Sequence, residues 1–343
     1  MQKTATDVAL SSRIRLARNI SGIPFAGRMN KQDIEKAIDM VKQSLSIIEN
    51  GSDGQYNFLP LANIPPLERH ALMEEHMVSP EFIQGDEKKA LLLSGEISIM
   101  LMEEDHIRIQ AIAPGYDLED AFALANGADQ QIGKSVKYAH SDRYGYLTKC
   151  PTNTGTGMRA SVMLHLPALT LTQSIAKVIA ALGKLGIAIR GFYGEGSETL
   201  GDFYQVSNQI TLGIDAQESI KKLSEVVDMV IVQERQTRET LKTNNAAAFY
   251  DRIGRSYGTM KYACSMSSNE FLKLASDVRM GIATGVITEI TLNDIDSLIT
   301  QTMPAHILRQ LHNQENIPAR DILRADTIRK KLHSSFGCRE ENA

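Results

Sequence analysis

The segment Cys150-Pro151-Thr152-Asn153-Thr154-Gly155-Thr156-Gly157-Met158-Arg159-Ala160-Ser161 lies between two strand-like runs, 144–148 before it and 160–166 after it. Two glycines and three threonines describe a loop whose backbone can come close to a ligand, with N–H groups and hydroxyls free to donate. Arg159 sets a planar cation at its end, suited to a phosphate, and Cys150 sets a thiol at its start. Taken alone, the same residues describe a polar hairpin loop equally well. The surrounding chain decides between the two.

Working outward, 90–93, 97–102 and 107–112 read as successive strands. The turn between the last two is Glu103-Glu104-Asp105-His106, with Arg108 just beyond. Further upstream, 8–20 carries Ser11-Ser12-Arg13-Ile14-Arg15. In an extended segment Arg13 and Arg15 project from one face, where two cations repel unless an anion lies between them. On the other side of the loop, a helix is expected over 166–186 and a strand over 187–190. That strand runs into Arg190-Gly191-Phe192-Tyr193-Gly194-Glu195. A further strand is expected over 203–211.

Helices are expected over 30–50 (capped by Asn30), from Pro65-Pro66 to 77, over 117–127, and from Asp215 to about 240. The run Gly127 to Gly133-Lys134-Ser135 has five residues between its glycines rather than four, and no apolar strand leads into it, so it is a poor P-loop. After Thr243-Asn244-Asn245 the pattern is helical throughout: 246–257, 268–280, 291–300 and 319–332. The switch from strand-rich to all-helical sequence predicts two domains, 1–243 and 244–343.

The composition is that of a globular protein: 343 residues, 43% hydrophobic and 23% charged. A formal net charge of −4 gives no basis for nucleic-acid binding by bulk charge. Cys150, Cys264 and Cys338 are far apart with no CxxC, which indicates neither a disulfide framework nor a zinc site, and no metal-ligand set is read. The first twenty residues lack an apolar signal core and no run is long enough for a membrane span. The expected setting is the cytoplasm, with no membrane partner.

Arg13, Arg15, Arg108, Arg159 and Arg190 all fall on strand or loop positions. Converging on one cleft, they suit the triphosphate of ATP, with Mg²⁺ held mainly by phosphate oxygens and water. Glu104 and Glu195 lie beside them and suit a cationic acceptor. A guanidinium, with a pKa above about 12, is a poor nucleophile until a base relieves it of a proton. Two carboxylates can also hold it in line for attack, and a Cys150 thiolate could polarise the same group.

In this order, SSRIR (11–15), EEDHIR (103–108), CPTNTGTGMRAS (150–161) and RGFYGE (190–195) resemble the signature of the phosphagen (guanidino) kinase family, over roughly residues 10–240. The resemblance implies an α+β fold, an antiparallel sheet flanked by helices, and direct phosphoryl transfer from MgATP to a guanidinium. It implies ATP contacts at Ser11, Ser12, Arg13, Ile14 and Arg15, at Arg108, at Arg159, Ala160, Ser161, Val162 and Met163, and at Arg190, Gly191, Phe192, Tyr193, Gly194 and Glu195. His76 matches a histidine near the base, Glu104 and Glu195 match the catalytic carboxylates, and Cys150 matches the substrate-site cysteine.

Two departures are evident. SSRIR comes almost at once, without the helical N-terminal domain of the metabolic members, and a helical C-terminal domain is added. Both resemble the bacterial protein-arginine kinases within the family. That resemblance implies protein substrates with exposed arginines and a homodimer. It also implies a stress-response setting, with a heat-shock repressor, a zinc-binding activator protein and a Clp protease as partners. Arg320-Asp321-Ile322-Leu323-Arg324-Ala325 resembles their phosphoarginine receptor motif; on local chemistry it is a solvated, charge-laced helix. The alternatives are a kinase for free arginine or another small guanidino compound, and a non-catalytic phosphoarginine-binding adaptor.

Overall fold

The first strand, β1 (Ala9–Arg18), runs through the interior of one large antiparallel sheet. The computed structural model describes residues 5–47, 55–84, 88–191, 200–311, 317–334 and 336. The remaining strands are β2 (Asn57–Pro60), β3 (Ala90–Ser94), β4 (Ile97–Leu101), β5 (Ile107–Pro114), β6 (His140–Ser141), β7 (Gly145–Tyr146), β8 (Met158–His165), β9 (Ile187–Gly191) and β10 (Phe203–Asn208). Eight of them join in the order β2-β3-β4-β5-β1-β8-β10-β9, and β6 pairs with β7 in a separate hairpin.

Around the sheet lie α1 (Lys31–Ser44), α2 (Pro66–Glu74), α3 (Pro80–Ile83), α4 (Leu118–Gly133), α5 (Pro167–Leu171), α6 (Ile175–Gly183) and the long α7 (Ala216–Asn244). Among the described residues, everything after α7 is helical: α8 (Ala246–Tyr262), α9 (Ser268–Ala283), α10 (Leu292–Gln301), α11 (Pro304–Gln310) and α12 (Ile317–Lys331). The expected α+β architecture is the one observed.

Alternation along the strands gives the sheet two different faces. Ile14 and Leu16 of β1, Ile109 and Ala111 of β5, Ala160 and Val162 of β8 and Val206 of β10 are buried on one of them. They form the main core with Ala121, Ala125 and Ile132 of α4 and Leu223, Val227 and Val230 of α7. On the other face, cross-strand pairing sets Arg13 opposite Ile112 and Ser161, Arg15 opposite Gln110 and Arg159, Arg108 opposite Met100, and Arg190 opposite Gln205. Both ends of this second face are covered. Leu91 and Met100 pack with Leu61, Ile64 and Phe82 of the α2–α3 region, and Met163 and Phe203 pack into the core of the C-terminal helices. Between the two covers runs a trough floored by arginine.

Several boundaries differ from expectation for local reasons. Asn30 does cap α1, in a reciprocal capping box with Asp33, but the helix stops at Ser44 rather than near 50. The 166–186 helix is two helices, because Gln173 takes a left-handed φ of 57° between them. The 117–127 helix extends to Gly133, so the P-loop-like stretch is helical with Lys134 at its C-cap, leaving no phosphate cradle there. The 144–148 strand shrinks to Gly145–Tyr146, and β10 ends at Asn208 rather than 211. Helix α7 runs past its expected end near 240 and stops at Asn244, within the expected break at 243–245. Helix α11 was not anticipated: its seven residues are too few for a periodic signal. Cys264 is disulfide-bonded, which the cysteine spacing did not indicate.

Candidate active site

All five arginines singled out in the sequence line the trough. Arg15, Arg108, Arg159 and Arg190 bound a cleft of about 810 Å³ together with Glu103, Glu104, Lys149 and Thr152. Arg13, Arg15, Arg108 and Arg190 bound the adjoining hollow, with His76 and Gln110. Arg15, Glu81, Arg108 and Arg190 are common to both, so the two hollows form one continuous site.

The arginines are not equivalent. Among the described residues, the side chains of Arg13 and Arg15 form no hydrogen bond or ion pair, and the Nε of Arg15 is buried without a partner. Burial, reinforced by Arg108 and Arg159, lowers the Arg13 guanidinium to about 10. The same causes, with Arg13 added, hold Arg15 well below the usual guanidinium range. Such crowding of cations costs free energy unless an anion supplies the missing charge. Arg18, three residues beyond Arg15 on β1, is different. It donates to Asp129 from both Nε and Nη2, and lies 3.6 Å from the centre of the Tyr146 ring. It is a structural residue.

The acidic turn between β4 and β5 meets the arginines through Arg108. Nη1 of Arg108 donates to Glu103 Oε1 at 2.7 Å, and Nη2 to Glu104 Oε2 at 3.3 Å. Glu103 also accepts from the Ser79 hydroxyl at 2.7 Å and from the Glu104 backbone N–H at 2.8 Å. It is thus a fixed anchor, with a side chain only 3% exposed, while that of Glu104 is 36% exposed and reaches the cleft. Burial raises the Glu104 carboxyl above its ordinary value, although Arg108 pulls the other way. The neighbouring Asp105 and His106 face inward. Asp105 accepts from Asn19 and from the Lys149 N–H, and the His106 ring lies between the Ile20 N–H and the Pro24 carbonyl.

The loop that opens at Cys150 forms the far wall. Cys150 Sγ lies 3.0 Å from Thr152 Oγ1, and Thr152 lines the cleft beside Glu104. The loop's glycines serve its own packing rather than approach to a ligand. Gly157 has a φ of 61°, and a Cβ there would meet the Ala17 carbonyl oxygen at 2.6 Å. Gly155, at φ 118°, is pressed against the Thr211 carbonyl. The Thr211 hydroxyl in turn bonds the carbonyls of Thr152 and Thr154. The loop is therefore fastened to β1 and to the segment after β10.

His76 follows α2 and lines both the Arg13–Arg190 hollow and a smaller one with Ser11, Arg13 and Ser161. Burial and the nearby Arg13 push its pKa down to about 4, so it is neutral at ordinary pH. Of the contiguous stretches singled out, alternate side chains lie on opposite faces. Arg159, Ser161 and Met163 stand on the arginine face, whereas Ile14, Ala160 and Val162 are in the core. Ser12 is also turned away, bonded to Gly115 and Asp117. Gly191 ends β9. Phe192, Tyr193, Gly194 and Glu195 lie outside the described residues, as does Cys338.

Sequence reasoning missed Glu103, Gln110 and Lys149. Gln110 had a readable signal: with Arg108 it is one of two polar residues in a mostly apolar strand, two positions away and so on the same face. In α12, Arg324 of the receptor-like motif is buried. It donates to the carbonyls of Thr302 and Met266 and to Asp321 at 2.6 Å. Arg320, Asp321 and Leu323 are half-buried, Ile322 is exposed and Ala325 is buried.

Residues 36–237 match the family model for the ATP:guanido phosphotransferase C-terminal catalytic domain. Residues 246–342 match the model for the protein-arginine kinase McsB C-terminal domain. The protein-arginine kinase of Caldanaerobacter subterraneus subsp. tengcongensis is 40% identical over 95% of this chain and 97% of its own length. That of Bacillus subtilis is 41% identical over 98% of this chain and 93% of its own. The chain belongs to the protein-arginine kinase family. Membership makes it a kinase, built on the guanido-phosphotransferase catalytic fold. Among solved structures, the duplicated taurocyamine kinase of Schistosoma mansoni with bound transition state analog components aligns with a TM-score of 0.60 at 29% identity, over 67% of this chain and 33% of that longer one. Lombricine kinase aligns at 0.59 and 23% identity over 68% of each chain, a likeness of fold. Among the described residues no helix is long and apolar enough to cross a membrane.

Proposed function

We propose that this protein-arginine kinase transfers the γ-phosphoryl group of MgATP to arginine side chains of proteins. The observation that carries this reading is the shared face: five arginines, two of them forming no ion pair among the described residues, border one cleft with the carboxylate of Glu104. Arg13, Arg15, Arg108, Arg159 and Arg190 bind the phosphates, His76 lies toward the base, and Cys150 lies at the acceptor end. A guanidinium nitrogen of the substrate attacks the γ-phosphorus as the bond to the bridging oxygen of ADP breaks. Glu104, whose carboxyl burial has made more basic, takes the proton that the nitrogen loses. Glu195 is its proposed partner in holding the guanidinium.

The arginine-lined site fits a nucleotide carrying Mg²⁺. Two of the acids lining the site, Glu103 and Glu104, are both bonded to Arg108. Mg²⁺ would therefore sit on phosphate oxygens and water, and would supply neutralising charge there.

The division of labour follows the chain: residues 1–243 as the phosphotransferase domain, and 244–343 as a helical domain for homodimerisation and phosphoarginine sensing at 320–325. The family matches, which fall on either side of 244, support that division. The proposed setting is cytoplasmic stress response, in which phosphoarginine marks proteins such as a heat-shock repressor for a Clp protease, with a zinc-binding activator protein as partner. Incubation with γ-labelled ATP and a model protein is expected to give acid-labile label on arginine. Label on free arginine alone would refute the protein-substrate reading, and no transfer at all would refute the enzyme.

A further inference from the structure

His76 occupies a backbone position that ordinarily belongs to glycine. Helix α2 ends in a Schellman arrangement: the His76 N–H donates to the Met73 carbonyl and the Met77 N–H to the Leu72 carbonyl, both at 2.9 Å. The residue between helix and exit must be left-handed, and His76 has a φ of 60°. A side chain there is strained in a way glycine is not. The gain from placing an imidazole at that position has to be secured by its surroundings.

The surroundings are two side chains rising from the sheet. Gln110 Nε2 donates to the His76 carbonyl at 2.7 Å and lies 3.3 Å from that of Met77. Ser98 Oγ donates to the Met77 carbonyl at 2.6 Å and stands 3.2 Å from Gln110 Nε2. Gln110 and Ser98 are direct cross-strand partners on β5 and β4. Gln110 is also the β5 residue opposite Arg15. One amide thus connects the turn that carries His76 to the strands that carry the phosphate-binding arginines.

We infer that Gln110, backed by Ser98, is a positioning residue for the nucleotide: it holds the His76 turn at a fixed distance from Arg13 and Arg15, so that base and phosphates are gripped together. This rests on the ATP site proposed above. Gln110 is 3% exposed and its amide is directed at the turn, so it acts through His76 rather than on the acceptor.

The test is steady-state kinetics of the full-length enzyme, with ATP and an arginine-bearing protein varied separately. Q110L is expected to raise the KM for ATP about tenfold, the scale of one lost hydrogen bond to a buried group. The protein-substrate KM and kcat at saturating ATP should stay within about twofold. S98A, which removes one hydroxyl, should move the ATP KM the same way by about threefold; it carries the test if Q110L does not fold. In an H76G background, Q110L should add nothing to the ATP KM, since the imidazole that Gln110 positions is then absent. An unchanged ATP KM in the folded variants, an equal rise for both substrates, or a full tenfold addition on top of H76G would each overturn the inference. Failure of the wild-type enzyme to use ATP would strike the proposed function instead.

Discussion

Arg13 and Arg15 leave β1 on the same face, two residues apart, and neither side chain forms an ion pair or hydrogen bond among the described residues. On the proposed reading of this site as the ATP site, stability is given up locally for charge that the nucleotide satisfies. Replacing Arg15 with methionine keeps most of the side-chain volume and removes the repulsion. The ligand-free protein should then melt higher, by roughly 1–3 °C, while the stabilisation produced by added ATP should fall by more than half. Thermal unfolding with and without nucleotide checks both. A variant that melts lower without ligand would mean that the chain itself already balances the arginines.

Glu104 should separate chemistry from binding. Glu104→Gln preserves shape and removes the proposed base, so turnover should drop by roughly 10²–10⁴-fold, while ATP affinity stays within a few-fold. The raised pKa of Glu104 also sets a sign. As pH falls, the carboxylate is protonated earlier than an ordinary glutamate, so the acid limb of the wild-type rate profile should lie above the normal glutamate range. An acid limb at or below that range would remove Glu104 as the base.

What the sequence made legible was local. Arg13 and Arg15 share a face because strands alternate, and Glu104 stood out beside Arg108 in a short turn. The convergence of Arg159 and Arg190 with them depends on the order β1-β8-β10-β9, which no local pattern encodes. Alternation also explains why contiguous stretches mislead: Ala160 and Val162 adjoin Arg159 and Ser161 in sequence yet lie in the opposite layer. The break at Gln173 is silent in the sequence because the apolar pattern of α5 continues into α6. The glycines at 155 and 157 were legible as special, but their reason, contact with Thr211 and β1, is tertiary.

The C-terminal helices are clamped to α2 by a titratable contact. His306 sits between Glu74 and Glu75, at 2.9 and 3.1 Å, and Glu74 also accepts from the Ala305 N–H. Arg309 adds ion pairs to Glu68 and Glu75. The bonds to Glu74 and then Glu75 raise His306 to about 9, against burial. The folded pKa is above the unfolded value, so this contribution is complete below about pH 6.5 and disappears as pH rises through about 9. Wild-type melting temperature should therefore decline across that window, and H306Q should show a flatter profile that meets it at high pH. Parallel profiles for the two proteins would show that the imidazole does not carry charge into the contact.

The receptor-like motif in α12 contains two arginines with different duties. Arg324 is 2% exposed and holds the Thr302 and Met266 carbonyls together with Asp321. Its replacement by alanine leaves buried acceptors unpaired and should cost roughly 2–4 kcal/mol. Arg320 is half-buried one turn earlier, and R320A should change stability by no more than about 0.5 kcal/mol. A loss of phosphoarginine response in R324A therefore cannot be separated from loss of fold, whereas in R320A it can. Urea unfolding of both variants, followed by phosphoarginine titration of R320A, settles the assignment. An R320A protein of wild-type stability that responds fully to phosphoarginine would exclude Arg320 from the receptor.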